Sequence, residues 1–423
     1  MILDQFHHIA IVGFKRSGIA LCRMLLEYKK QVRVTDAHVE DSFGQKLIEQ
    51  FRNNGVQFEF GSHTQEFLDG CDLLVISPGV DMSNSPIGQY AQKQNIPVYG
   101  EMEVSSWVNR AKIVAITGTN GKTTTTFLTY SVLKSKFGER VHLAGNIGIP
   151  FAEVALRTKA EDIVVLEVSS FQLETIKTFH PFISCITNIE PDHLDRYANV
   201  TEYIRAKKNI FLNQTQDDFA VLNKNGVVEA DMVSSLPGQV RYFSDEFENE
   251  NYSAVSCIAG IFGIDKEECR SIFSQFCGLP HRMQKIKERA GVVFINDSKA
   301  TNPSATLWAL KNIPCPIRLI AGGKDKGLEY VQIEPYLKKV KKIYLYGEAR
   351  TGIAQALSFY PDIVQYDSLE KAICMAARDA ARGETILFSP MCSSFDLFRN
   401  YQERGRFFVK IVNDLDAKTS PRT

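Results

Sequence analysis

A lysine set between glycine and threonine is the first residue of this chain that offers chemistry. In AITGTNGKTTTT, residues 115–126, Lys122 follows Gly118, Thr119, Asn120 and Gly121 and precedes Thr123 and Thr124. Such a loop turns backbone N–H groups and the positive end of the following helix toward an anion, which suits a polyphosphate. Lys122 would reach the β- and γ-phosphates, and the hydroxyls of Thr123 and Thr124 would meet phosphate and Mg2+. The match to G-x-x-x-x-G-K-[ST] is incomplete, because Ile116 stands where the first glycine belongs. A Gly/Asn turn between strand and helix is the alternative.

Anionic partners for a cation come next. Glu167 ends the apolar run VVLE, where a lone carboxylate is costly unless it meets a cation. Asp192, His193 and Asp195 follow SCITNI, at the edge where open α/β sheets place ligands. His193 reads equally as a structural residue or a ligand. Lys207, beside Lys208 in YIRAKKNIF, reads by type alone as part of a solvated basic face. Two dense polar clusters, NDSKATNP (296–303) and SPMCSSFDLFRNYQERG (389–405), end apolar runs, with AGGKDKG between them. Asp297, Ser298, Ser393 or Asp396 could simply cap helices. Three charged and hydroxyl-rich sets at strand ends in one block suggest instead a substrate surface.

The elements that must position these residues form three blocks, each alternating β-branched runs with helical segments, the pattern of parallel sheets flanked by helices. The first spans HIAIV, a glycine turn, a helix to about Lys30, QVRVTD and DLLVIS. Its GFKRSG lacks the middle glycine of a dinucleotide fingerprint, with Lys15 in that place, which weakens a nicotinamide reading. Asp36 closes the second strand where a ribose hydroxyl could bind, or merely caps a turn. The second block opens with KIVAIT and the third begins near GLPHRMQ. Domains are expected at 1–102, 103–278 and 279–423.

With 423 residues the chain exceeds one ordinary domain. Its 49 basic and 49 acidic side chains balance, which gives no global charge for nucleic acid or a membrane surface. The nine cysteines include no C-x-x-C pair, which fits reduced thiols rather than a disulfide framework or zinc site. No signal peptide or membrane span is convincing, and a cytoplasmic monomer is expected.

GTNGKT, LAGNIG, LEVSSFQLE, NIEPDHLDRY, GLPHRMQ, NDSKATNP and SPMCSSFDLF, in this order along nearly the whole chain, resemble the Mur ligases of peptidoglycan synthesis. NDSKATNP and SSFDLFRN resemble the D-glutamate-adding member in particular. The resemblance implies three α/β domains: a Rossmann-like N-terminal domain for the UDP substrate, a central P-loop-type ATPase domain with a mainly parallel sheet, and a C-terminal Rossmann-like domain carrying the amino-acid site. It implies ATP-dependent ligation of D-glutamate to UDP-N-acetylmuramoyl-L-alanine through an acyl phosphate, with the C-terminal domain closing on the centre.

By that resemblance Gly118 to Thr124, Asn251, Arg282 and Asp297 bind ATP, and Lys122, Glu167, His193, Lys207 and Arg282 serve catalysis. Thr123, Glu167, His193 and a carbamylated Lys207 hold two Mg2+ ions. Lys15, Ser17, Gly18, Asp36, Ala37, Asn146 and His193 face the UDP substrate, and Lys299, Thr301, Lys326, Ser394 and Tyr401 the D-glutamate. Two departures stand out. The family's H-N-x-x-N adenine motif is reduced to ENYSA, with Asn251 its counterpart, and Tyr401 replaces a common phenylalanine.

Overall fold

A computed structural model describes residues 1–77, 85–192, 196–197, 199–225, 236–276, 278–314, 316–325 and 327–417. His193 and Lys326 lie outside the described residues. The chain divides into two compact units, Met1–Pro191 with Asn199–Gln275, and Asp192–Ala198 with Phe276–Thr423. Two sheets build the first unit and one builds the second.

The first sheet holds β1 (His8–Val12), β2 (Gln31–Asp36), β3 (Gln57–Phe60), β4 (Leu73–Ile76) and β5 (Val98–Gly100), in the order β3-β2-β1-β4-β5. All its pairings are parallel. Parallel strands buried on both faces read as continuous apolar runs, as in HIAIV and LLVI. The second sheet holds β6 (Lys112–Thr117), β7 (Val141–Gly145), β8 (Ile163–Glu167), β9 (Ile183–Ile186), β10 (Phe219–Asn223) and β11 (Gln239–Phe243), in the order β11-β10-β9-β6-β8-β7. It too is wholly parallel. Since β6 lies between β8 and β9, the loops leaving these three strands share one edge, where open α/β sheets bind ligands.

The helix Glu101–Ser106 follows β5 and joins the two sheets through carboxylates. Glu103, fully buried, accepts five hydrogen bonds: from Thr178 N (2.7 Å), Thr178 Oγ1 (2.6 Å), Trp107 Nε1 (3.0 Å), Lys177 N (2.9 Å) and Phe179 N (3.0 Å). Glu101 accepts from Ala152 N at 2.7 Å, at the start of the helix Phe151–Ala155. Its burial pushes the carboxyl up to about 7 despite the Ala152 and Ser105 hydrogen bonds.

The third sheet holds β12 (Gln284–Arg289), β13 (Val292–Asn296), β14 (Ile317–Gly322), β15 (Val340–Tyr346), β16 (Ile363–Gln365) and β17 (Thr385–Met391), in the order β12-β13-β17-β14-β15-β16. Only β12 runs antiparallel, against β13. Its side chains alternate between two cores, as a period of two requires. Leu319, Ile343, Leu345 and Leu387 join Ala309 and Leu310 on one face, while Ile320, Tyr344, Ile386 and Phe388 join Phe408 and Val412 on the other. With β17 between β13 and β14, NDSKATNP, SPMCSSF and AGGKDKG leave three adjacent strands at one edge. Among the described residues no helix is long and apolar enough to cross a membrane.

Candidate active site

The loop after β6 is shaped by two glycines in backbone conformations that L side chains rarely adopt. Gly118 has φ +149°, and a Cβ there would lie 1.9 Å from Thr187 Oγ1. Gly121, at φ +78°, precedes the helix Lys122–Phe137, and its Cβ would lie 2.2 Å from Asn251 Oδ1. The segment after β9 braces the loop from below. Thr119 N donates to Asn188 O (2.9 Å), Asn120 N to Asn188 Oδ1 (2.8 Å), and Thr187 Oγ1 to Asn120 O (2.7 Å). The loop thus holds its shape through fixed backbone contacts, which is what a phosphate cradle needs. Thr123 is buried and Thr124 half-buried in the first helical turn.

Two lysines converge on one carbonyl of this loop. Lys122 Nζ donates to Gly118 O (2.7 Å) and Thr119 O (2.9 Å), and Lys207 Nζ donates to the same Gly118 O (2.8 Å). Lys207 also stands over the Tyr203 ring at 4.5 Å and is 1% exposed. The solvated basic face expected from residue type is therefore wrong. Lys207 sits at the inward end of the helix Val200–Lys208 and its ammonium reaches the glycine loop. A helix presents alternate faces, and the neighbouring Lys208 takes the more exposed one.

Glu167, at the end of β8, is 1% exposed. Its Oε1 accepts from Asn146 Nδ2 at 2.7 Å, while Oε2 is buried without a hydrogen-bond partner. An ionised oxygen in that position calls for a cation. Among the described residues no group of three or more His, Cys, Asp or Glu is placed to hold a metal. The oxygen donors near the loop are carboxylate and hydroxyl, a set that suits Mg2+. Asn251 lies by the same loop, its Oδ1 accepting from Thr125 Oγ1 at 3.1 Å.

In the first sheet Lys15 is exposed and precedes the helix Arg16–Glu27, whose first turn holds half-buried Ser17 and buried Gly18. Asp36 turns inward: Oδ2 accepts from Phe14 N (2.6 Å), and Oδ1 meets His38 N (2.8 Å) and His38 Nδ1 (2.7 Å). Burial alone would raise its pKa, but these backbone and imidazole hydrogen bonds hold it below the ordinary value. As placed, Asp36 shapes the glycine turn, with Ala37 exposed beside it. Arg16, not singled out by sequence, donates to Gly148 O, in the loop that carries Asn146.

In the second unit the cap reading of the polar clusters fails. Asn302, not Asp297 or Ser298, caps the helix Pro303–Asn312, accepting from Ala305 N at 2.8 Å. Asn400, not Ser393 or Asp396, accepts from Glu403 N at 2.8 Å in the helix Tyr401–Ala417. Asp297 is buried, with Oδ1 accepting from Met283 N (3.2 Å) and Oδ2 from Ser389 Oγ (2.8 Å). Burial pushes its carboxyl up to about 7, against those hydrogen bonds and the charges of Arg282 and Arg404. Lys299 Nζ stands 4.1 Å over the Tyr401 ring, and Ser394 is buried. Half-buried Thr301 leads to Asn302, whose Nδ2 donates to Asp192 Oδ2 at 2.7 Å. Asp325, which sequence reasoning passed over, accepts from Gly327 N (3.0 Å) and Tyr330 Oη (2.8 Å).

Family models match the three blocks in order: Mur ligase MurD-like N-terminal domain over residues 7–100, Mur ligase middle domain over 116–262, and Mur ligase glutamate ligase domain over 281–392. The UDP-N-acetylmuramoylalanine--D-glutamate ligase of Thermoanaerobacter sp. (strain X514) is 38% identical, the match covering 96% of this chain and 98% of that one. The protein of the same name from Salinibacter ruber is 37% identical, covering 96% and 97%. Among solved structures, the UDP-N-acetylmuramate-alanine ligase MurC of Thermotoga maritima shares the fold at TM-score 0.60 and 18% identity, covering 96% and 99%. MurF ligase of the same organism, in complex with ADP, does so at 0.59 and 16%, covering 92% and 96%. A glycine-built loop with an inward lysine, a three-sheet α/β fold and full-length likeness lead to one conclusion: the chain belongs to the Mur ligase family.

Proposed function

We propose that this protein joins D-glutamate to UDP-N-acetylmuramoyl-L-alanine at the expense of ATP. The observation that carries the choice of substrates is likeness along the whole chain to D-glutamate ligases. A carboxylate is a poor electrophile, since its charge repels an amine and its oxygen leaves badly. Transfer of the γ-phosphoryl group of ATP to it gives an acyl phosphate, supplying electrophile and leaving group together. Attack by the D-glutamate amine then forms the amide, releases phosphate and leaves a proton to be shed.

Phosphoryl transfer between anions depends on charge neutralisation and alignment more than on covalent help. The backbone from Gly118 to Thr124 and Lys122 would hold the phosphates, and we take Asn251, Arg282 and Asp297 as further ATP contacts. Lys122 would exchange the Gly118 and Thr119 carbonyls for phosphate oxygens. Thr123, Glu167 and His193 would hold Mg2+, which supplies charge neutralisation at the phosphates. The orphaned Glu167 Oε2 supports that assignment.

Carbamylation of Lys207 extends the same logic. Two ammonium groups on one carbonyl repel each other. Addition of CO2 to the neutral amine, with loss of a proton, would turn one of them into an oxygen ligand for a second ion. Lys15, Ser17, Gly18, Asp36, Ala37 and Asn146 form the proposed UDP-substrate side. Lys299, Thr301, Lys326, Ser394 and Tyr401 form the amino-acid side, where ammonium and hydroxyl groups suit two carboxylates. We take the domains as 1–102, 103–278 and 279–423, and the protein as a cytoplasmic monomer.

The test is phosphate release from ATP and Mg2+ in the presence of UDP-N-acetylmuramoyl-L-alanine, with D-glutamate, L-glutamate, L-alanine and a diamino acid offered in turn. Release only with D-glutamate, accompanied by the product mass of the UDP-dipeptide, is expected. Release with a different amino acid moves the substrate assignment, and release indifferent to amino acids defeats the ligase reading.

A further inference from the structure

Among the described residues, Arg404 is the largest side chain buried completely. It lies in the first turn of the helix Tyr401–Ala417. Nε donates to Ser298 Oγ (3.1 Å), Nη2 to Ser298 O (2.7 Å), and Nη1 to both Cys392 O (3.0 Å) and Ser393 O (3.0 Å). These acceptors sit in NDSKATNP and SPMCSSF, the loops that leave β13 and β17. The third loop packs on the same group, since a Cβ on Gly323 would lie 3.0 Å from Arg404 Nη1 and 2.3 Å from Ser393 O. Lys324 N then donates to Ser393 O at 2.9 Å. One guanidinium thus stands where three candidate substrate loops meet, its planar fork matched to carbonyls on two of them.

All of these acceptors are uncharged. The Arg404 charge acts on the buried Asp297 carboxyl, which it holds lower than burial alone would. Ser298 Oγ passes the arrangement on to Tyr401 O at 2.9 Å, and the Tyr401 ring carries Lys299.

We propose that Arg404 is the positioning residue of the amino-acid site: it locks the three loops so that Lys299 and Ser394 present together. It touches no substrate itself. This inference rests on reading the site as the D-glutamate site.

The experiment compares wild type with Arg404→Lys and Ser298→Ala, measuring KM for D-glutamate, ATP and UDP-N-acetylmuramoyl-L-alanine, kcat, and melting temperature. Lysine keeps the charge but cannot span both loops, so KM for D-glutamate is expected to rise about tenfold, the worth of one charge-assisted hydrogen bond, with KM for ATP within about twofold. Ser298→Ala removes one acceptor and the link to Tyr401, and is expected to shift the same constant in the same direction by roughly threefold. If Arg404→Lys does not fold, Ser298→Ala decides. Unchanged D-glutamate KM in the folded variants, with only a lowered melting temperature, overturns the inference and leaves the site reading intact. Wild-type phosphate release indifferent to D-glutamate overturns both.

Discussion

Replacing Glu103 by glutamine changes one atom in a side chain that holds two sheets of the first unit together. The carboxylate receives three donors at Oε1 and two at Oε2, and three of the five are the consecutive backbone N–H groups of Lys177, Thr178 and Phe179. A glutamine amide can accept at one end only. In its better orientation the oxygen keeps the Thr178 and Trp107 donors, and the NH2 group faces the N–H groups of Lys177 and Phe179. The buried Phe179 donor and the part-buried Lys177 donor then lose their acceptor, at up to about 1–3 kcal/mol each, so Glu103→Gln should destabilise by about 1–6 kcal/mol. Glu101 supplies the control. It accepts one backbone N–H and the Ser105 hydroxyl, both within reach of an amide oxygen. Glu101→Gln should therefore cost no more than about 1 kcal/mol at pH 7, and it sheds the burial penalty of a carboxyl raised to about 7. Urea unfolding of the three proteins, with the midpoint shift read at constant m, measures the contrast. A Glu103→Gln shift below about 1 kcal/mol, or equal shifts for the two variants, would refute the claim that this carboxylate is valued for the number of donors it satisfies.

Three further outcomes follow from the same geometry. Glu167→Gln keeps an acceptor for Asn146 but removes the charge, so turnover should fall on the order of 100-fold and the Mg2+ titration should move to higher concentration; an unchanged titration excludes Glu167 as a metal ligand. Lys207→Ala should lose activity that a short carboxylic acid partly restores, and wild type equilibrated with 13C-bicarbonate should give a carbamate resonance absent from the variant. Neither rescue nor resonance means the lysine acts as the amine. Glu101 and Asp297 are raised by burial from 4.5 and 3.8 to about 7. Between these limits the folded state binds more protons than the unfolded, so their contribution is complete below the unfolded values and is lost as pH rises through about 7, at up to roughly 1.4 kcal/mol per pH unit for each. The stability difference between wild type and Glu101→Gln/Asp297→Asn should follow that slope, and a flat difference from pH 4 to 8 removes both groups from the account.

The sequence alone was enough for the strands, because a parallel strand covered on both faces must be apolar almost throughout. HIAIV, KIVAIT, IVVLE and TILFSP each appear as β1, β6, β8 and β17. It also foreshadowed the backbone of the loop after β6, since closely spaced glycines report a backbone that needs freedom from Cβ atoms, and Gly118 and Gly121 do take positive φ there. Burial direction was another matter. Lys207 and Lys208 are chemically alike, and only the packing of their helix sends the first under the loop and the second toward solvent. Asp297 and Ser298 resembled helix caps until the turn after β13 carried the chain on to Asn302. Glu103, Asp325 and Arg404 looked like ordinary charged residues of their segments. Each draws its role from donors or acceptors distant in the chain or set by a local turn, and those partners exist only once the strands have taken their order. Local pattern records how a segment meets water, whereas the partners of a buried charge depend on topology, which is why the reaction was legible in the sequence and the framework around its residues was decided by the tertiary structure.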